Sequence, residues 1–200
     1  MADSNDVIVE LKNTIKEILE NLCEECTEDG GVLRALAEHF GVNDSSVIIE
    51  AAIEAMENGE DYPYPVVHFN FTMAKDIEPE SYGKIADLLN DINVVFQTGE
   101  YPSFGNFCLY KPLGQIFYGY KMPINIGALE GEQENIKFFI ATVLDQLDLF
   151  VDLVLYVAQG DVNLTLEDYL NYLNGLNDLY DLQEKAEKLE EMIKEIESRN

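Results

Sequence analysis

Apolar positions at the start of the chain recur at steps of three and four: Leu11, Ile15, Ile18, Leu19, Leu22, Cys23 and Cys26. That spacing puts them on one face and predicts an amphipathic helix over 6–27, with Gly30 and Gly31 as its stop. The period then changes. Val47, Ile49, Ala51, Ile53 and Ala55 alternate along the chain, and Glu50 and Glu54 fall on the opposite parity. Good helix formers in this window keep a helix open on propensity alone, but a period of two is what a strand requires. Further on, Val67, Phe69 and Phe71 alternate with His68, Asn70 and Thr72 in a β-branched and aromatic stretch. Asn58-Gly59 lies between these runs. It is a hairpin signal, because a type I′ turn needs φ > 0 at both central residues; nearby prolines lengthen the loop and leave its turn type open. Three strands are expected near 32–40, 46–56 and 65–74.

Pro79 suits the first turn of a helix, and Ile85, Leu88, Leu89 and Ile92 give that helix an apolar face. The stretches "SFGNFCLY" and "GQIFYGYKMPI" flank "KPLG" and predict a second hairpin, the most aromatic part of the chain. A long helix follows over about 132–157. Its polar face runs through Glu134, Lys137, Asp145, Asp148 and Asp152, and the rest is apolar, as suits a helix that covers a sheet. The expected fold is therefore α+β. An antiparallel five-stranded sheet (three-strand meander, helix, hairpin) packs against an N-terminal helix, a middle helix and a long C-terminal helix. This assigns 1–160 to one domain and leaves 161–200 as a helical extension. In the extension, Thr165 and Asp168 have capping-box spacing, Leu164 and Tyr169 are placed for a staple, and Asn174-Gly175 is a candidate break. From Leu182, the apolar Ala186, Leu189, Met192, Ile193 and Ile196 form a seam of about two heptads, too short for a free coiled coil. It must dock on its own domain, on a partner or on a second copy.

Charge narrows the range of partners. The 200 residues carry a formal net charge of −27, with 39 acids against 12 lysines and arginines. Such a field repels phosphate backbones and anionic membranes, so neither nucleic acid nor membrane is an expected partner. Residues 1–61 hold sixteen acids and three bases, whereas 62–126 hold six and four. The charge serves solubility at least, and it would attract a basic protein. The most apolar run, "FFIATVLDQLDLFVDLVLYVAQG", carries three aspartates, which argues against a membrane span. No signal peptide is visible at the N-terminus, and an odd count of three cysteines fits a reducing cytoplasm.

Candidate chemistry is sparse. Cys23 and Cys26 form a C-x-x-C pair, and His39 follows at a zinc-finger-like distance. No second histidine follows; Asn43, Asp44 and Ser45 stand where it would be needed. A redox pair would sit at a helix N-terminus, where the dipole lowers the thiol pKa. Here the pair ends a helix among Glu20, Glu24, Glu25 and Glu28, and both sulfurs continue its apolar face, so structural cysteine is the reading. His39 and His68 adjoin no nucleophile motif, and an enzyme would need folding to bring them together with carboxylates. The face of Asp145, Asp148 and Asp152 reads as solvated. "DVNLTLEDYLNY" lacks the EF-hand glycine and terminal glutamate, and no phosphate-binding glycine loop occurs. No catalytic, cofactor-binding or metal-binding residue is assigned, and no cofactor is expected.

With "LLNDIN" in the middle helix, "GNFCLY" opening the fourth strand and "GQIFYGYKMPI" as the fifth, the chain resembles the YbjN-like bacterial family. That family looks like the type III secretion chaperones in fold. The resemblance covers about 6–160 and is carried best by 66–125; 161–200 lies outside it. It implies strands over 32–40 and 46–56 and a non-enzymatic, acidic protein binder, with a homodimer as a further option. The departures are long inter-strand loops and the extra C-terminal helix. The expected function is protein interaction of chaperone or adaptor type. A protein or peptide client would be held by exposed aromatics of the 104–120 hairpin and the apolar side of the tail helix. The alternative is a small-molecule sensor with a pocket between sheet and long helix.

Overall fold

The sheet begins earlier than the hydrophobic periodicity suggests. In the computed structural model, which describes residues 4–23, 25–54, 65–98, 104–125, 129–160 and 165–175, the first helix α1 spans Ser4–Leu22 and stops there. Cys23 closes its last turn by donating its N–H to the Leu19 carbonyl at 2.9 Å. The chain then enters a strand, β1 (Glu25–Asp29), which pairs antiparallel with β2 (Val32–Phe40). Gly30 and Gly31 are the turn between them, with φ of +58° and +82°. Both are left-handed, as a type I′ hairpin turn demands and as glycine adopts at least cost. The two glycines are therefore not the stop of a helix over 6–27, and the sheet has six strands, not five.

The remaining elements follow the parity of the sequence. β3 (Ser45–Glu54) and β4 (Val66–Ala74) complete a meander. A 3-10 turn, Pro79–Ser81, leads into α2 (Tyr82–Thr98). β5 (Asn106–Tyr110) and β6 (Gln115–Pro123) form the second hairpin around a 3-10 turn at Lys111–Leu113. α3 spans Leu129–Gln159. The strand order is β1-β2-β3-β4-β6-β5, antiparallel throughout, so β1 and β5 are the edges. The Asn58-Gly59 turn falls outside the described residues.

One face of the sheet is the core. Leu33 and Ala51, Ala35 and Ile49, Ile49 and Phe71, Ala51 and Phe69, and Phe71 and Tyr118 are cross-strand neighbours, and all are buried. The helices cover that face. α1 supplies Leu11, Ile15 and Leu19; α2 supplies Ile85, Leu89 and Ile92; α3 supplies Ile136, Ile140, Val143 and Leu147. Aromatic rings tie the two layers together. Phe139 of α3 lies 5.3 Å from Phe69, and Phe96 of α2 sits between Phe107 and Phe150 at 5.9 and 5.3 Å. Burial of each such ring contributes about 1.5–3 kcal/mol. The opposite face carries Arg34, Glu50, His68 and Lys121. Arg34 bridges Glu50 at 2.8 Å and Asp29 at 3.0 Å there.

The chain divides into two compact units, Met1–Val162 and Asn163–Asn200. In the second, residues 166–175 are helical, Asn174 and Gly175 included. Its start is a reciprocal capping box: Asp168 N–H donates to Thr165 Oγ1 at 3.1 Å, and Thr165 N–H donates to Asp168 Oδ2 at 3.3 Å. The seam from Leu182 onward lies outside the described residues, as does Leu164.

Candidate functional site

The cysteine pair does not share a helix face. Cys23 directly follows α1 and Cys26 stands in β1, with both thiols free and half-buried. Burial, and then the neighbouring Cys26, push the Cys23 thiol up to about 11. Cys26 is raised by burial and by Glu20, and Cys108 by burial. A thiol that keeps its proton at neutral pH is a poor nucleophile and a poor metal ligand. Among the described residues, no group of three or more His, Cys, Asp or Glu could hold a metal ion.

The histidines are kept apart. His39 sits within β2, in the irregular stretch between Ala37 and Phe40, with φ of +68°, its Nδ1 2.6 Å from Asp44 Oδ1. His68 pairs across the sheet with Ala52 and Lys121, and its Nε2 lies 2.7 Å from Glu54 Oε2. Ser45 and Ala52 mark their levels along β3, which separates them by roughly 20 Å at the rise of a strand.

The aspartate face of α3 is not simply solvated. Asp145 and Asp148 are exposed, but Asp152 is only 3% exposed. Asp148 Oδ1 accepts the Gly41 N–H at 2.7 Å. Asp152 accepts the Val42 N–H at 2.7 Å and the Asn43 side-chain amide at 2.8 Å. Gly41 has φ of +65°, and a Cβ added there would overlap the Asp152 carboxylate. Consecutive N–H groups in such a turn make an anion-holding concavity. Two carboxylates one helical turn apart fill it and latch the β2–β3 turn to α3. A cleft of about 330 Å³ lies alongside, lined by Asn43, Ser45, Leu155, Tyr156 and Gln159 as well as Asp152. Both Asp152 oxygens already serve the latch.

The aromatic hairpin divides its side chains among three environments. Phe107 and Tyr118 are core residues, 3% and 1% exposed. Phe117 is half-buried on the helix-free face, and Tyr110 is exposed. Phe104 and Tyr120 instead border a groove of about 310 Å³ between β6 and α3, lined also by Met122, Asn135, Phe138 and Phe139. Phe104 lies 5.5 Å from Phe139 and 6.2 Å from Phe138, both edge-on, and Tyr120 lies 4.7 Å from Phe139. Asn135 is the one non-aromatic polar side chain among the described lining residues. Phe138 is 61% exposed, a large apolar ring left in water beside other rings. The hairpin sequence does not reveal Phe138, because it belongs to a helix 18 residues beyond Tyr120. Phe104 is set by its neighbour. Gly105 N–H donates to the Tyr118 hydroxyl at 2.5 Å, and a Cβ on Gly105 would overlap the Gly119 carbonyl oxygen. Only glycine lets β5 start this close to β6.

The residues carrying the family resemblance also have structural work. Asn93 of "LLNDIN" donates its side-chain amide to the Phe107 carbonyl at 3.0 Å and accepts the Phe107 N–H at 2.8 Å. No protein-family model matches the chain, and neither the curated proteins nor the solved structures yielded a match. No helix among the described residues is long and apolar enough to cross a membrane.

Proposed function

We propose that this protein is a non-enzymatic binder of a protein or peptide segment, of chaperone or adaptor type, acting in the cytoplasm. The groove between β6 and α3 takes an apolar side chain of the client. The observation that carries this reading is Phe138, 61% exposed beside Phe104, Tyr120, Met122 and Phe139. Exposed aromatic anchors beside a concave apolar surface are what binding interfaces use for most of their energy. The resemblance of 66–125 to the YbjN-like family, and through it to the type III secretion chaperones, points the same way, and it leaves a homodimer as a further option. The charge of −27 adds attraction for a basic client.

The test is capture of partners from lysate by the full chain and by Phe138→Ser and Phe104→Ser. A photo-crosslinking residue at position 138 identifies what sits in the groove. A stoichiometric protein crosslinked at 138 and lost from both variants supports the proposal. A partner held equally well by both variants removes the groove from the function. The second reading is a small ligand in the same groove, favoured by its volume of about 310 Å³ and its lone amide, Asn135. A compound that raises the melting temperature of the parent protein but not of Phe138→Ser would select it.

A further inference from the structure

The two edges of the sheet are treated differently. At the β5 edge, the Asn93 carboxamide makes the two hydrogen bonds to the Phe107 backbone that a neighbouring strand would make. Tyr82 of α2 also donates its hydroxyl to the Lys111 carbonyl at 2.8 Å. At Phe107 that edge is blocked to a further strand by a side chain that imitates one.

β1 has no such cover. Among the described residues it pairs with β2 alone. The Gly30-Gly31 turn makes Asp29 and Val32 a hydrogen-bonded pair, and the antiparallel ladder alternates from there. The N–H and C=O groups of Glu28 and Cys26 therefore point away from β2. Among the described residues nothing bonds to these groups. The edge is also acidic: Glu25, Glu28 and Asp29 are exposed along its five residues, and Lys12 and Arg34 neutralise only Glu28 and Asp29. It lies in the stretch 1–61, which holds sixteen acids and three bases.

We infer that the outer edge of β1 accepts an extended, lysine- or arginine-rich segment of another protein as a seventh strand. Main-chain bonds to Cys26 and Glu28 supply the affinity, and the flanking carboxylates select the charge. The same carboxylates oppose edge-to-edge pairing of two copies, since like charges would face each other across the new ladder. This surface is at the opposite edge of the sheet from the β6 groove and stands without it.

The experiment uses the full chain and a short synthetic peptide alternating lysine and valine, with a glutamate–valine peptide as control. Amide hydrogen exchange is followed residue by residue. The expected result is slowing of at least about tenfold at the Cys26 and Glu28 amides with the basic peptide and none with the acidic one. Glu28→Pro, which removes an outward N–H without touching the β1–β2 ladder, should lose that binding, and Phe138→Ser should keep it. Peptide binding without protection at Cys26 and Glu28 overturns the inference, as does the absence of binding. Protection of these amides that rises with protein concentration and no peptide also overturns it, by putting a second copy on the edge. Should Glu28→Pro fail to fold, the exchange pattern of the unmodified chain decides alone.

Discussion

Asp152 in α3 accepts a 2.7 Å hydrogen bond from the backbone N–H of Val42, 110 residues earlier in the chain. The carboxylate is almost wholly buried, and it also accepts the Asn43 amide. Asp152→Ala leaves both donors without their acceptor, so the expected loss of unfolding free energy is about 2–4 kcal/mol. Asp148→Ala, which removes an exposed acceptor, should cost about 1 kcal/mol or less. Urea unfolding of the two variants checks this. Equal small effects would mean that the latch contributes nothing to stability.

Gly41→Ala meets the same carboxylate from the other side. Its φ of +65° is costly for alanine, and the new methyl group overlaps Asp152. The expected cost is about 1–3 kcal/mol. In the double variant with Asp152→Ala, the overlap disappears and the two costs should not add. Additive thermal denaturation data would show that the two residues do not meet.

Asn93→Leu keeps the bulk of the side chain on α2 but removes both bonds to Phe107. About 1–3 kcal/mol of stability should be lost. The bared β5 edge should make the variant self-associate as concentration rises, and light scattering reads this directly. A variant that is destabilised but stays monomeric would confine Asn93 to local bonding.

Cys23 sets a high-pH limit. Its folded value is near 11 against an ordinary 9.0, so the unfolded chain releases this proton first. The raised value means that this contribution to stability is complete below pH 9 and is lost as the pH climbs towards 11. Unfolding free energies of the parent and of Cys23→Ala should therefore converge across that window. At pH 8, alkylation of Cys23 in the folded chain should be far slower than in urea. Equal alkylation rates would contradict the burial of this thiol.

Phe138 and Phe139 are neighbours in sequence with opposite expected costs. Phe139→Ala empties a site that is 2% exposed and should cost about 3–5 kcal/mol. Phe138→Ser, at 61% exposed, should change stability by about 0.5 kcal/mol or less. A large loss at Phe138 would assign that ring to packing and take away the basis for the groove.

The period-two parity of Val47, Ile49 and Ala51, together with the hairpin signal and the strand that follow it, points to β3, and all three are buried on one face. The alternation of Val67, Phe69 and Phe71 placed β4 in the same way. β1 was not legible. Its residues, Glu25–Asp29, show no apolar alternation, and the strand exists only through its pairing with β2. Cys23 and Cys26 happened to continue the helical spacing, and so hid the boundary at Leu22. The buried role of Asp152 left no local trace either. A carboxylate on a helix reads as solvated until the turn that folds onto it is in view. The groove was half legible: Phe104 and Tyr120 were in the aromatic hairpin, and Phe138 was not.

The latch between Asp148, Asp152 and the Gly41–Asn43 turn has a consequence for the order in which the protein is made. The β2–β3 hairpin emerges from the ribosome complete in itself, yet its turn waits for acceptors 107 and 110 residues further along the chain. Until α3 is synthesised, Phe69 also lacks the Phe139 ring that packs 5.3 Å from it. The nascent meander thus has α1 over part of its apolar face but waits for α2 and α3 to cover the rest, and α3 closes that face last.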